Sequence, residues 1–296
     1  MAEGAKVIQE PVALWSEGSR LGAELYLPED IDEPAPAIML CHGWGGERPM
    51  LGPYARAFAQ RGYIVLEIDY RGWGTSDGKI IPLADTPPLL EAGIQTLDIR
   101  VVRKVTDPLD QITDIRNGLG FLFSDPRVDP KRVGIWGTSY GGGHSIYVAA
   151  NEPRVRCVVG QIGSYEPAPE FRAMCQQRLG DKARGLIDPP VPQGIDALPG
   201  LLGTPDLARM LGYSPLQASE RIRAPTLIID AEFEELFDRI ANGKAVFDTI
   251  SQNAVALYHT FPGKHYDVYN QFWADAVALA CDWFDEHLQA GIWEGK

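Results

Sequence analysis

Five continuous apolar runs recur along the chain, and each is typical of a β-strand that is buried on both faces. They are APAIMLC at 35–41, YIVLEI at 63–68, RVGIWG at 132–137, VRCVVG at 155–160 and APTLIIDA at 224–231. Helical patterns lie between and after them, such as the stripe formed by Ile112, Ile115, Leu119 and Leu122. Further helices are expected over 235–250 and, as the last helix, from near Val268 to 288. Because strands and helices alternate in this way, the sequence predicts an α/β fold with a mainly parallel, twisted sheet flanked by helices.

The alternation is interrupted between residues 165 and 223. This segment is rich in proline and glycine and contains two short helical patterns, at 169–180 and 205–212. We expect it to form a helical cap insertion over one edge of the sheet. Residues 1–164 and 224–296 then form the core domain, and a chain of 296 residues is long enough to bury a full core.

Charge and cysteine content narrow the classes of partner and cofactor. The net charge of −13 repels phosphate backbones, so neither nucleic acid nor an anionic membrane is an expected partner. No apolar run approaches the roughly 18 residues of a membrane span, the N-terminus lacks a signal-type segment, and a cytoplasmic location is expected. No metal or other cofactor is expected, because the sequence shows no metal-ligand set, no P-loop and no G-x-G-x-x-G dinucleotide fingerprint. The four cysteines are scattered and form no C-x-x-C pair, so they suggest neither a zinc site nor a disulfide framework: Cys41, Cys157, Cys175 and Cys281. The long helices near the C-terminus and in the segment at 165–223 offer surfaces for a homodimer, but no feature of the sequence requires one.

The segment GTSYG at 137–141 places a serine between two glycines, after an apolar strand and before a helical pattern. This strand–turn–helix context is typical of the G-x-S-x-G nucleophile elbow, in which small neighbours allow close packing and expose the hydroxyl. Functional residues of parallel α/β sheets lie at the carboxyl ends of the strands, where Ser139 is expected. The sequence therefore predicts that Ser139 is a nucleophile.

A serine hydroxyl needs a base to remove its proton, and the usual base is histidine. The chain has five histidines. Four lie on the helix after the elbow, inside an apolar strand, near the end of the last helix or directly before a glycine-rich loop: His144, His259, His287 and His42. His265 lies between the last strand and the last helix, from where its imidazole can reach over the elbow. We therefore predict His265 as the base.

A carboxylate is needed to hold the tautomer of the base and to stabilise the imidazolium. In a sheet of this kind the order along the chain is serine, acid, histidine, so the acid is expected after the strand PTLIID. The candidates are Asp230, Glu232, Glu234, Glu235 and Asp238. We favour Glu234, because its loop position lets the side chain turn back, followed by Glu232 and Glu235. Glu166 is an outside candidate.

Two backbone N–H groups are expected to form an oxyanion hole for the tetrahedral intermediate. One belongs to Tyr140, directly after the nucleophile. The other is expected in the loop HGWGG at 42–46, where the N–H of Trp44 is the candidate donor.

The segments LCHGWGG, DYRGWGTSDG, GIWGTSYGG, APTLIIDAEFEE and PGKHYDVY resemble the α/β-hydrolase superfamily, in the family's order and over nearly the whole chain. They are most similar to the branch that contains acyl-peptidases, X-Pro dipeptidyl-peptidase-like and cocaine-esterase-like hydrolases, and esterases related to dienelactone hydrolase. The resemblance implies an eight-stranded sheet with one antiparallel strand, a helical cap after the sixth strand, and Ser139, Glu234 and His265 as the triad. The acid position departs from the usual G-x-x-D, because it reads A-E-F-E here.

These groups together predict acyl transfer to water. Our first hypothesis is hydrolysis of a carboxylic ester with a small to medium hydrophobic group. Alternatives are hydrolysis of an amide, peptide or thioester, cleavage of a carbon–carbon bond beside a ketone, and a non-catalytic binding protein. The side chains expected to line the substrate pocket are aromatic or apolar: Trp44, Tyr140, Tyr165, Phe171, Met174 and Leu211.

Overall fold

A computed structural model describes residues 6–83, 92–94, 96–187 and 194–289. Within these ranges, eight strands form one sheet: β1 (Val7–Ser16), β2 (Ser19–Pro28), β3 (Ala35–Cys41), β4 (Ile64–Ile68), β5 (Val128–Thr138), β6 (Val155–Gln161), β7 (Thr226–Ala231) and β8 (Ala256–Phe261). Their order across the sheet is β1-β2-β4-β3-β5-β6-β7-β8. Strand β2 runs antiparallel to both of its neighbours, and the other pairs are parallel. The expected eight-stranded sheet with one antiparallel strand is confirmed.

Helices cover both faces of the sheet. The α-helices of the described residues are α1 (Gly52–Gln60), α2 (Pro108–Ser124), α3 (Tyr140–Ala149), α4 (Pro169–Ala183), α5 (Leu207–Met210), α6 (Pro215–Ser219), α7 (Ala245–Ile250) and α8 (Trp273–Phe284). Short 3₁₀-helices span Arg48–Met50 and His265–Tyr269. Single π-helical turns span Ile240–Lys244 and Asp285–Gln289. In the described ranges, no helix has the length and apolar character needed to cross a bilayer.

Alternating side chains of the central strands enter two separate hydrophobic cores. Met39 and Ile135 face the core covered by α2, α3 and α7. Leu40 and Trp136 face the opposite core, which α1 and α8 cover. Because successive side chains of a strand point to opposite faces, both alternate sets must be apolar. This double burial explains why the strands appear in the sequence as unbroken apolar runs.

Two helix boundaries differ from the sequence patterns. The pattern over 235–250 predicts one helix, but helical structure begins at Ile240, where the carboxylate of Asp238 accepts the Ile240 N–H at 2.9 Å. This bond satisfies a backbone N–H group at the start of the turn. The pattern near Val268 predicts the start of the last helix, but α8 begins at Trp273. Val268 lies instead in the separate 3₁₀-helix His265–Tyr269.

The segment predicted to be the cap contains α4, α5 and α6 between β6 and β7. Its strand Thr204–Pro205 pairs with Val105–Thr106 of the preceding region. The guanidinium of Arg209 in α5 donates to the carboxylate of Asp110 in α2 at 2.8 Å. The segment is thus held to the rest of the fold, and its predicted limits at 165 and 223 stay a prediction. Residues 188–193 of its proline-rich part lie outside the described residues.

Candidate active site

Ser139 lies between the last residue of β5 and the first residue of α3, in a strained backbone conformation. Its φ of 53° and ψ of −124° fall in a region that non-glycine residues rarely occupy. A Cβ on Gly137 would overlap the carbonyl of Gly141, and one on Gly141 would overlap the carbonyl of Cys41. Both flanking positions therefore require glycine, and the sharp turn that they permit projects the Ser139 side chain from the sheet edge.

The loop at 42–46 packs directly against this turn. A Cβ on Gly43 would lie 2.9 Å from the Cβ of Ser139 and 3.2 Å from the carbonyl oxygen of Thr138. The rings of Trp44 and Tyr140 meet edge to face, with centroids 5.3 Å apart. Tyr140 begins α3, so its N–H has no partner within the helix and lies at the positive end of the helix dipole. The two residues predicted as oxyanion donors thus lie side by side at the elbow.

Two histidines near the elbow, His42 and His144, are buried, and hydrogen bonds hold their rings in place. His42 donates its Nδ1–H to the carbonyl of Gly43 at 3.0 Å, and burial lowers its pKa to about 4. His144 bonds to the Tyr213 hydroxyl at 2.8 Å and to the Gln111 side chain at 3.0 Å, and burial lowers its pKa to about 3. Both rings are neutral at ordinary pH, and both have packing roles.

His265 and Glu234 form a buried pair. The Nδ1–H of His265 donates to Oε2 of Glu234 at 2.8 Å, and the two side chains are only 1% and 2% exposed. This bond places the ring hydrogen on Nδ1 and leaves Nε2 as a proton acceptor. The backbone N–H of His265 donates to Oε2 of Glu235 at 3.0 Å. Two consecutive glutamates of the loop after β7 therefore fix the position of His265.

The other acidic candidates are engaged elsewhere or exposed. The side chain of Glu232 is exposed. Asp230 is buried and accepts a hydrogen bond from the Tyr258 hydroxyl at 2.8 Å. Glu166 pairs with Arg172 and accepts from Ser214 at 2.9 Å. Glu234 is thus the candidate whose carboxylate contacts the imidazole of His265.

The segment that carries His265 is docked on the elbow through Tyr269. The hydroxyl of Thr138, the residue before Ser139, donates to the hydroxyl oxygen of Tyr269 at 2.8 Å. Tyr269 ends the 3₁₀-helix that His265 begins, and their ring centroids are 6.0 Å apart. Sequence reasoning did not single out Tyr269; its position four residues after the candidate base was the available signal.

Apolar side chains of the segment at 165–223 pack against the two oxyanion candidates. The cluster combines buried and half-buried side chains: Cys175, Leu207, Met210, Trp44, Tyr140, Phe171 and Leu211. Four of the six residues expected to line the pocket lie in this cluster. Tyr165 instead lies in the main core and is 1% exposed, because the Asn242 side chain accepts its N–H and its ring packs on Gly163. Met174 is 45% exposed.

Side chains that could ligate a metal ion are not clustered in the part of the chain that the structure describes. Among those residues, no group of three or more His, Cys, Asp or Glu could hold a metal ion. All four cysteines are buried and free. The expectation that the protein needs no metal or other cofactor stays a prediction.

Family comparison agrees with this geometry. The sequence profile of the X-Pro dipeptidyl-peptidase (S15) family matches residues 17–176, which is more than half of the chain. The chain belongs to this family, and it is a hydrolase with the α/β-hydrolase fold. The resemblance noted from the sequence motifs is thereby confirmed.

Individual proteins are also similar to this chain, in sequence or in fold. An uncharacterised 31.7 kDa protein of Escherichia coli is 28% identical over 285 residues, which cover 86% of this chain and 91% of the relative. The quorum-quenching protein AidA of Acinetobacter baumannii is 32% identical over 157 residues, covering 52% and 44%. The solved structure of Est1E from Butyrivibrio proteoclasticus with ferulic acid has a TM-score of 0.69 at 18% identity, covering 94% and 99% of the two chains. At that identity the likeness concerns the fold alone.

The elbow glycines generate the first prediction. Gly141→Ala is expected to lower the free energy of unfolding by about 3 kcal/mol, because its methyl group overlaps the Cys41 carbonyl. Gly120→Ala in α2 is the matched control, since no atom lies within 4 Å of its Cβ position; it is expected to add about 0.5–1 kcal/mol. Urea denaturation measures both. Equal stability of the two variants would contradict the close approach at Gly141.

Asp230 generates a prediction about pH. Burial raises its pKa to about 7, and the nearby charge of Glu234 adds to this shift. Between about pH 4 and pH 7 the unfolded chain loses this proton while the folded chain keeps it, so rising pH weakens folding through this group. The free energy of unfolding of Asp230→Asn is therefore expected to rise relative to that of the wild type by about 1.4 kcal/mol per pH unit across that window. Above about pH 7 the difference between the two proteins is expected to stay constant. Urea titrations at pH 5, 6, 7 and 8 test this; a difference independent of pH would contradict it.

Proposed function

We propose that the protein hydrolyses a carboxylic ester of a small to medium hydrophobic substrate through an acyl-enzyme intermediate. Ser139 is the nucleophile, His265 the general base and Glu234 the acid of the triad. The observation that carries this proposal is the buried Glu234–His265 hydrogen bond on a segment docked against the strained turn at Ser139. Acyl transfer requires this combination of an exposed hydroxyl, an oriented base and a carboxylate behind it.

The first half of the reaction forms the acyl-enzyme. Nε2 of His265 takes the hydroxyl proton as Oγ of Ser139 attacks the ester carbonyl carbon. Glu234 remains ionised and stabilises the imidazolium. The N–H groups of Trp44 and Tyr140 donate to the oxyanion, and one such donor typically contributes about 10²- to 10³-fold in rate. The bond between the acyl carbon and the alcohol oxygen then breaks as the imidazolium gives its proton to that oxygen, so the alcohol leaves and the acyl group stays on Oγ of Ser139.

The second half uses the same groups on water. Nε2 of His265 takes a proton from water, the resulting hydroxide attacks the acyl carbon, and the two N–H donors again bind the oxyanion. The bond between the acyl carbon and Oγ of Ser139 then breaks, and the imidazolium returns a proton to Oγ. The acid product leaves, and the starting state is restored.

The surroundings of the elbow support an uncharged substrate group. Trp44, Tyr140 and Phe171 belong to the apolar cluster of the cap segment. The carboxylate of Asp206, next to Leu207 of the same cluster, is already paired with Lys182. A site with apolar walls and a neutralised carboxylate favours an apolar acyl or alcohol group over a charged one.

Substrate panels test the class of bond. We expect p-nitrophenyl butyrate to be hydrolysed faster than a butyryl anilide, a butyryl thioester or an X-Pro p-nitroanilide, and Ser139→Ala to abolish ester turnover. Thermal stability of Ser139→Ala should stay within about 1 kcal/mol of the wild type. Full activity of that variant would overturn the nucleophile. Preference for the anilide or thioester would keep the triad and replace the ester.

The acid is tested by paired substitutions in one loop. Glu234→Gln is expected to lower kcat by roughly 10³- to 10⁴-fold, because a neutral amide neither holds the reactive tautomer nor stabilises the imidazolium. Glu232→Gln changes an exposed side chain two residues away and is expected to keep kcat within about twofold. Steady-state kinetics on p-nitrophenyl butyrate compare them. A large loss in Glu232→Gln with none in Glu234→Gln would reverse the assignment.

A further inference from the structure

A sequence motif that the triad does not use lies beside the oxyanion candidates. The segment DYRGWGTSDG at 69–78 follows β4 directly, and β4 pairs in parallel with β3. The carboxyl ends of neighbouring parallel strands meet at one edge of a sheet. Residues 42–48, here called the oxyanion loop, follow β3 at that same edge. Asp69, the first residue of the motif, is only 1% exposed, and its side chain is bonded to the end of this loop.

The Asp69 carboxylate holds the end of the oxyanion loop. Its Oδ1 accepts the backbone N–H of Arg48 at 2.7 Å, and its Oδ2 accepts both the N–H and the hydroxyl of Thr75 at 3.0 Å. Arg48 begins a 3₁₀-helix, and within the described residues the side chain of Glu47 does not cap it. Asp69 binds that N–H from the end of another strand. Hydrogen bonds to an ionised acceptor are stronger than neutral ones, so this contact resists displacement of the loop end.

The carboxylate of Asp69 is itself fixed by its surroundings. The backbone N–H of Asp69 donates to the carbonyl of Gly22 in β2 at 2.8 Å. The Arg48 guanidinium lies 3.7 Å from Oδ2 of Asp69 and also pairs with Glu24 of β2. A Cβ on Gly74 would lie 2.2 Å from the carboxyl carbon, so position 74 must be glycine to leave room for it. Asp69 therefore ties the oxyanion loop to the sheet.

The start of the oxyanion loop is held separately, at His42. The Tyr70 hydroxyl donates to the His42 carbonyl at 3.4 Å, and the two ring centroids are 4.0 Å apart. Three of the four residues between His42 and Glu47 are glycines. Because glycine restricts the backbone least, the direction of the Trp44 N–H depends on how both ends of the loop are held.

We propose that Asp69 is a positioning residue, which holds the oxyanion loop so that the N–H of Trp44 points at the developing oxyanion. This inference rests on the proposed function. The carboxylate acts through the backbone at Arg48, four residues after Trp44, and takes no part in bond making or proton transfer. Oxyanion donors stabilise the transition state best when they are aimed before the reaction, because no reorganisation is then needed. Loss of the Arg48 contact is therefore expected to weaken transition-state binding and to leave substrate binding nearly unchanged.

Asp69→Asn tests this contact with a side chain of the same shape. An amide has one acceptor oxygen, and its NH₂ group cannot accept the N–H of Arg48 or Thr75. We expect kcat for p-nitrophenyl butyrate and the affinity for a trifluoromethyl ketone to fall together by about 10- to 100-fold, with KM changed by less than about twofold. The ketone reports on the oxyanion hole, since its tetrahedral adduct with Ser139 carries an oxyanion.

Asp125→Asn is the matched control. Asp125 likewise accepts the backbone N–H of an arginine, Arg127, at 2.9 Å and pairs with its guanidinium at 2.7 Å. It lies before the amino end of β5, at the opposite end of that strand from the elbow. Urea denaturation is expected to show a lower free energy of unfolding for both variants. Only Asp69→Asn is expected to lose affinity for the ketone, which separates positioning from a general loss of stability.

The outcomes separate this inference from the proposed function. A folded Asp69→Asn variant with wild-type affinity for the ketone would overturn the role of Asp69 and leave the proposed triad standing. If Asp69→Asn does not fold, Thr75→Val decides, because it removes one donor to the same carboxylate at an exposed position. An affinity lowered about two- to tenfold and restored by Thr75→Ser supports the positioning role, and an unchanged affinity overturns it. A wild-type protein that neither reacts with a fluorophosphonate nor hydrolyses esters would overturn the proposed function, and this inference with it.

Discussion

Close backbone packing between the end of β3 and the start of α3 is the constraint on which the site depends. Cys41 and Gly137 are register partners in the adjacent parallel strands β3 and β5. Gly141 lies against the carbonyl oxygens of Cys41 and His42, at the end of β3. A single Cβ at this contact would separate the two loops. The sheet is the rigid frame that keeps the backbone of Ser139 at a positive φ. The backbone strain therefore falls on the residue whose hydroxyl must project from the turn.

The other half of the site, which comprises the loop after β7 and the segment that carries His265, is held in place by polar contacts and not by close backbone packing. The loop after β7 presents Glu234 to the ring and Glu235 to the backbone of His265. A hydrogen bond between a nearly unexposed carboxylate and an imidazole is stronger than one in water, since little solvent competes with it. Thr138 and Tyr269 then join this half to the elbow. The site is thus an assembly of three loops on one sheet edge, in agreement with the general placement of functional residues in such sheets.

Much of this arrangement could be predicted because it follows from local patterns. Unbroken apolar runs identify strands buried on both faces, and the elbow motif identifies Ser139. Elimination among five histidines selected His265, the residue that the structure pairs with Glu234. The remaining contacts depend on features without a sequence signature. Helical structure begins at Ile240, where Asp238 accepts the backbone N–H, five residues after the start that the pattern indicates. A five-residue 3₁₀-helix brings Tyr269 to Thr138, and the Asn242 side chain accepts the backbone N–H of Tyr165 in the core.

A crystal structure of the protein after reaction with a fluorophosphonate would show whether three distant segments assemble one reactive hydroxyl with its base and its oxyanion donors. We expect a single covalent bond from phosphorus to Oγ of Ser139, with the phosphonyl oxygen about 2.7–3.1 Å from the backbone nitrogens of Trp44 and Tyr140. We also expect Nε2 of His265 beside Oγ. A phosphonyl group on another residue, or one whose oxygen points away from both nitrogens, would show that these segments do not form the reactive site.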